Sequence, residues 1–144
     1  MRAIRAAGAR ICAYGCLCVA VALAAGLTGC GASAQDQVQS KVNQFLTAID
    51  ARNYRTLCTQ VLAPSLLTRL ARGGIQCEQA MRISLADVHD PILSVGRITV
   101  NGSRAQAITL SGAKGQKGAF ESIGLVDTGS GWRISSLATP QVSH

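Results

Sequence analysis

Aromatic side chains are scarce in this 144-residue chain, which has two Phe, two Tyr and one Trp. So few flat faces argue against single-stranded nucleic acid as a partner, because bases are held largely by stacking. Acids are scarce too, at 7 Asp and Glu against 14 Lys and Arg. Imidazole is limited to His89 and His144. Acid–base catalysis needs two groups with pKa values pushed apart, and metal centres need several convergent ligands; neither is well supplied. No Gly-Lys-Ser/Thr ending marks a phosphate cradle.

Charge is missing altogether from Ile11 to Thr28, and that gap organises the chain. Arg2, Arg5 and Arg10 precede it, so a positive stretch leads into an apolar one, the layout of an export signal. Positive residues stay on the cytoplasmic side, and the chain beyond the apolar stretch is delivered outward. The run ends in Leu27-Thr28-Gly29-Cys30, an aliphatic residue, two small residues and a cysteine. This order resembles the lipobox of bacterial lipoproteins. The resemblance implies that residues 1–29 are removed and that Cys30 is acylated as the new first residue. Two or more acyl chains, at about 0.8 kcal/mol per buried methylene, hold a protein on a membrane essentially permanently. The implied location is the extracytoplasmic face of the cell membrane. An uncleaved signal anchor and ordinary cleaved secretion are the alternatives. The uncharged run reaches the lower limit of a spanning helix, about 17 to 25 residues, but Gly15, Gly26 and Gly29 weaken it.

The expected organisation is a leader over 1–29, an acylated cysteine and short tether over 30–35, one domain over 36–139 and a tail over 140–144. Without the leader the chain carries 11 basic and 7 acidic residues, a net charge of +4. Of the six cysteines, Cys12, Cys16 and Cys18 leave with the leader and Cys30 takes lipid. Cys58 and Cys77 remain. In an exported chain such a pair points to a disulfide rather than a metal site; two free buried thiols are the alternative.

Ser33 is a candidate helix cap with Asp36 in the first turn. Val38, Val42, Phe45, Leu46 and Ile49 form a helical stripe that Ala51-Arg52-Asn53 interrupts. Tyr54, Leu57, Cys58, Val61 and Leu62 predict a second helix. Pro64 opens a third that Gly73-Gly74 closes, and Cys77, Ala80, Met81 and Leu85 predict a short fourth. After Asp90-Pro91 the period changes to two. Strands are predicted over 92–100, with an irregularity at Gly96, then over 104–111, 119–127 and 132–137, with a type I′ turn at Asn101-Gly102. Helices followed by an antiparallel meander mean an α+β fold with the helices on one face of the sheet.

Phe45-Leu46-Thr47-Ala48-Ile49-Asp50, the Asn53-Tyr54 opening the next helix, and Gly131-Trp132-Arg133-Ile134-Ser135-Ser136-Leu137 resemble the nuclear transport factor 2-like superfamily. The chain is similar in particular to small exported actinobacterial lipoproteins with this domain and a cysteine pair between the early helices. The resemblance implies a cone in which a curved sheet of about four strands wraps a long helix. The superfamily holds isomerases, dehydratases and hydrolases as well as members that only bind, so fold alone does not select an activity.

The candidate pocket residues are Phe45, Tyr54, Glu121 and Trp132. Glu121 shares strand parity with Ile123 and Leu125 and so can face the cone, although the parity is ambiguous and edge glutamates are usually solvated. Tyr54 either donates a hydrogen bond into the pocket or packs in the core. Asp87, His89 and Asp90 have metal-ligand chemistry, but Asp90-Pro91 is also an ordinary turn. Gly112, Gly115 and Gly118 with Lys114 and Lys117 form a hairpin loop that can also contact an anion or a headgroup. Arg52, Arg55, Arg69, Arg72 and Arg82 make the helical half basic, a solvated face or one attracted to anionic envelope components. No catalytic set, metal site or cofactor is expected. The sequence points to an envelope lipoprotein that binds a small apolar ligand or a protein partner, with an isomerase or hydrolase using Glu121 and Tyr54 as the alternative.

Overall fold

The computed structural model describes residues 32–137; the leader, Cys30, Gly31 and residues 138–144, His144 among them, lie outside the described residues. Ser33 starts the first helix. Its hydroxyl accepts the Asp36 N–H at 3.1 Å, and the Asp36 carboxylate accepts the Ser33 N–H at 3.1 Å, the reciprocal pair of a capping box. Helix α1 (Ala34–Asp50) buries Val38, Val42, Phe45 and Ala48 along one stripe. Its end is a Schellman motif: Arg52 N–H donates to Ile49 O at 2.9 Å and Asn53 N–H to Ala48 O at 2.8 Å. Arg52 takes the left-handed backbone there, φ 51, where glycine is usual.

The second helix departs from the simple stripe. Helix α2 (Tyr54–Thr56) is three residues long and widens into a π-helical turn, Leu57–Val61, closed by Leu62 N–H donating to Leu57 O at 2.8 Å. Leu62 is already extended. It forms a parallel bridge with Ile134, and Ala63 N–H donates to Ile134 O at 2.7 Å. Pairing with the sheet thus wins over the last helical residue, while Leu57, Cys58 and Val61 stay buried.

Helix α3 (Pro64–Arg72) has Pro64 in its first turn, where a missing N–H costs nothing, and ends at Gly73. Helix α4 (Cys77–Ser84) stops one residue before Leu85, which serves as its C-cap. Cys58 and Cys77, 19 residues apart, form a disulfide with their Cα atoms 6.0 Å apart. It joins the π turn to the start of α4 across α3.

Strands β1 (Ile92–Asn101), β2 (Arg104–Gly112), β3 (Ala119–Asp127) and β4 (Trp132–Leu137) pair antiparallel in the order β1-β2-β3-β4. The first hairpin differs from the type I′ expectation. Asn101 is the last paired residue, opposite Arg104, so the loop is Gly102-Ser103. Gly102 has φ 58 while Ser103 is not left-handed, the pattern of a II′ turn with glycine in first place. A bulge at Gly96 on β1, as expected there, and another at Ser135 on β4 add local twist. Helix α1 touches both edge strands, so the sheet curves around it, giving an α+β fold of four helices against a four-stranded antiparallel sheet. The core is sealed by Leu57, Leu62, Ile123, Leu125 and Ile134, each worth roughly 1.5–3 kcal/mol of burial. Among the described residues no helix is long and apolar enough to cross a membrane.

Candidate functional site

Alternation along β3 decides where Glu121 points. Ile123 and Leu125 are buried while Phe120 is 64 % exposed, so odd-numbered residues face the helices and Glu121 goes with them. Across the ladder Glu121 pairs with Thr109, which is fully buried and whose hydroxyl donates to the Glu121 carbonyl at 3.4 Å. The Glu121 side chain enters a cavity of about 450 Å³ at the open end of the curved sheet. Phe45, Leu46 and Ile49 of α1 form one wall, with Leu85, Val88, Pro91 and Leu93 beside them. Ile123 and Leu137 line it from the sheet, and Ala113, Gln116 and Lys117 line it from the β2–β3 loop. The lining is mainly aliphatic. Glu121 and Lys117 are its charged members, and they are not an ion pair: among the described residues the one ion pair is Lys114–Asp90, at 3.7 Å.

Of the four expected pocket residues, Phe45 and Glu121 line this cavity and Tyr54 and Trp132 do not. Trp132 is 4 % exposed and packed in the core opposite Asp127, because β4 begins at the far end of the sheet from the mouth. Tyr54 sits at the start of α2. Its hydroxyl accepts from Arg52 Nη1 at 3.4 Å, and the Arg82 guanidinium lies 5.7 Å over its ring. The cavity residues that sequence reasoning missed come from the segment between α4 and β1 and from the β2–β3 loop. Leu46 and Ile49 are visible in the sequence as part of the α1 stripe, without any sign that they face a void.

A second depression, of about 490 Å³, is polar. Asp50, Arg52, His89, Asp90 and Lys114 line it, and it shares Ile49, Val88 and Pro91 with the cavity. Arg52 organises it: Nη1 donates to Leu85 O and Nη2 to Val88 O, both at 3.1 Å, and Nη2 lies 3.5 Å from His89 Nδ1. Asp90 has φ 45 and pairs with Lys114, whose N–H donates to His89 O at 2.8 Å. Asp87 contributes its carbonyl to Gln116 Nε2 at 3.4 Å. The Asp87-Val88-His89-Asp90 segment is thus a pinned turn, and among the described residues no three of His, Cys, Asp and Glu stand together as a metal site. Three of the helical-half arginines have structural partners. Arg52 and Arg69 donate to backbone carbonyls, Arg69 Nη2 to Ser135 O at 2.6 Å, and Arg82 covers Tyr54.

The titration that does shift lies away from the cavity. Lys41 donates to Gln44 Oε1 at 2.7 Å and to Gln60 O at 3.1 Å. Burial, and then the charge of Arg133, lower its pKa below the usual 10.5.

No known protein family matches the chain, and no curated protein matches it. Among solved structures it is similar to a presumed dehydratase of the NTF2-like family from Streptomyces avermitilis. The identity is 20%, the TM-score 0.49, and the match covers 74% of this chain and 95% of that one. At that level the likeness assigns neither family nor activity.

Proposed function

We propose that this chain is an envelope lipoprotein, held at the extracytoplasmic face by an acylated Cys30, and that its domain is a non-enzymatic binding module for a small apolar ligand. The cavity supports this reading: about 450 Å³ of mainly aliphatic wall, with Glu121 as its one carboxylate. A ligand with an apolar body and one donor, a hydroxyl or an amine, satisfies both features, since a half-buried carboxylate is stabilised by accepting a hydrogen bond. The alternative isomerase or hydrolase needs a second group at the ligand. Tyr54, its nominated partner, spends its hydroxyl on Arg52.

The test is titration of the acylated protein in detergent micelles with 1-aminoanthracene, an apolar fluorescent amine. Saturable one-to-one enhancement is expected, weakened in Glu121→Leu and lost in Ala119→Phe, which fills the cavity. Enhancement unchanged in Ala119→Phe, or absent in the native protein, would overturn the reading. Native mass spectrometry of protein extracted from its own envelope then identifies the ligand.

A further inference from the structure

The helices cover one face of the sheet; the other is open and has a consistent chemistry. Even-numbered residues of β2 and β3 point there. Leu110 and Phe120 are direct cross-strand neighbours, Ile108 sits opposite Arg97, and Ile92 opens β1 across from Gly112. Ile92 and Phe120 are each 64 % exposed, Leu110 40 % and Ile108 37 %, four of the seven large apolar side chains exposed on the described residues. So much apolar surface on one face calls for something to cover it. Arg97 and Arg104 share that face, and both acids of the strands, Glu121 and Asp127, have the opposite parity. The face therefore carries an apolar patch and two cations, with Ser94, Thr99 and Gln106 as uncharged polar neighbours and no strand carboxylate.

We infer that this outer sheet face docks on an anionic lipid bilayer. Two observations select a bilayer over a second copy of the chain. A two-fold pairing of this face with itself would set Arg97 and Arg104 against another set of arginines with no strand acid between them. An anionic headgroup layer meets the cations, and its acyl boundary takes Ile92, Leu110 and Phe120. The second observation is where the chain leaves the domain. Gln35 Nε2 donates to Ile98 O at 3.5 Å, so the residues before α1 depart beside edge strand β1, next to Arg97. Ser33 caps α1 and Ala34 begins it, so the extended tether is the three steps from Cys30 to Ser33, a reach of at most about 10 Å. That tether holds the domain to a membrane through the proposed acylation of Cys30, on which this second observation rests. So short a tether keeps the β1 edge of the sheet, Arg97 with it, close to the membrane. Docking also has a consequence for the cavity, because Ile92 lines its mouth as well as the patch. The mouth then opens at the lipid surface, where an apolar ligand is concentrated.

The test uses a chain beginning at Gly31, which lacks any acyl group and retains the whole core, since that lies within residues 32–137. Co-sedimentation compares vesicles of phosphatidylcholine with vesicles also containing phosphatidylglycerol. Binding to the anionic vesicles is expected, reduced by salt, with neutral vesicles bound weakly. The double substitution Leu110→Ser with Phe120→Ser should reduce binding by at least about tenfold through lost apolar burial. Arg97→Gln and Arg104→Gln should each reduce it about fivefold. All four side chains are exposed, so circular dichroism should be unchanged. Failure to bind, equal binding to both vesicle types, or a concentration-dependent dimer abolished by the Leu110/Phe120 pair would overturn the inference. The anchor is read separately by phase partition of the full chain. Loss of the detergent phase in Cys30→Ala together with no vesicle binding keeps the anchor and rejects the docking face. Vesicle binding together with an aqueous full chain does the reverse.

Discussion

Arg52 and Asp90 are the non-glycine residues of the described chain with left-handed backbone, φ 51 and φ 45, and they line the same polar cleft. Left-handed geometry costs a side-chain-bearing residue roughly 1 kcal/mol. For Arg52 this is offset by hydrogen bonds to Leu85 O and Val88 O, which hold the segment beside the cavity. Arg52→Ala removes the bonds and keeps the strain, while Arg52→Gly removes both. The glycine variant should be the more stable of the two by about 1 kcal/mol, read from urea midpoints. Equal midpoints would mean that the backbone relaxes when the guanidinium is gone.

Loss of the Cys58–Cys77 bridge, which closes a loop of sequence separation 19, should lower stability by about 3 kcal/mol in the chain-entropy account. Cys58→Ala with Cys77→Ala and the reduced native protein should show similar losses in urea. A free-thiol count of two in the native, unreduced domain would remove the premise.

Lys41 gives the chain a pH signature. Its folded pKa lies below 10.5, so the folded state binds this proton less tightly than the unfolded chain. The cost of holding the charge is fully present at neutral pH and vanishes as pH rises through the lowered folded value toward 10.5. Stability from this residue should therefore rise across the alkaline window. Lys41→Met should be the more stable form at neutral pH and lose that advantage as the window is crossed. A gap that does not narrow would mean that lost hydrogen bonds to Gln44 and Gln60 dominate.

At Gly124 the constraint is steric. A Cβ there would overlap the Ser136 hydroxyl across the β3–β4 pair. That hydroxyl ends a one-torsion side chain and can turn aside, so Gly124→Ala should stay within about 0.5 kcal/mol of the native protein, and adding Ser136→Ala should remove any remaining cost. Thermal midpoints of the two single variants and the double variant form the cycle that measures the coupling.

Cys30→Ala in the full chain should move the protein from the detergent phase to the aqueous phase, because in the proposed lipoprotein the acyl chains on this one residue supply the anchor. Retention on the membrane would favour the uncleaved signal anchor.

Much of the fold was legible because its signals are local. Ser33 with Asp36, Pro64, and Gly73-Gly74 mark helix ends through their own hydrogen-bonding and backbone limits. The change from period four to period two after Pro91 separates the helical layer from the sheet. The π turn was not legible, since Leu57 to Leu62 has the spacing of an ordinary helix and only the bridge to the distant Ile134 draws Leu62 out of it. The hairpin shows the same limit on a smaller scale. Asn101-Gly102 locates the turn, but the register with β2 decides which two residues form it.

By itself the sequence determined the order of helices and strands and the excess of basic over acidic residues, and it pointed to a Cys58–Cys77 disulfide with two free thiols as the alternative. These follow from counting and from interactions a few residues long. Only the tertiary structure decided that Phe45 and Glu121 share a cavity, that Tyr54 and Trp132 are spent elsewhere, and that Ile108, Leu110 and Phe120 gather on an uncovered face. Those facts depend on register, two bulges and the curvature they impose. Distances between residues far apart in sequence are set by how whole elements pack, and no local spacing encodes them.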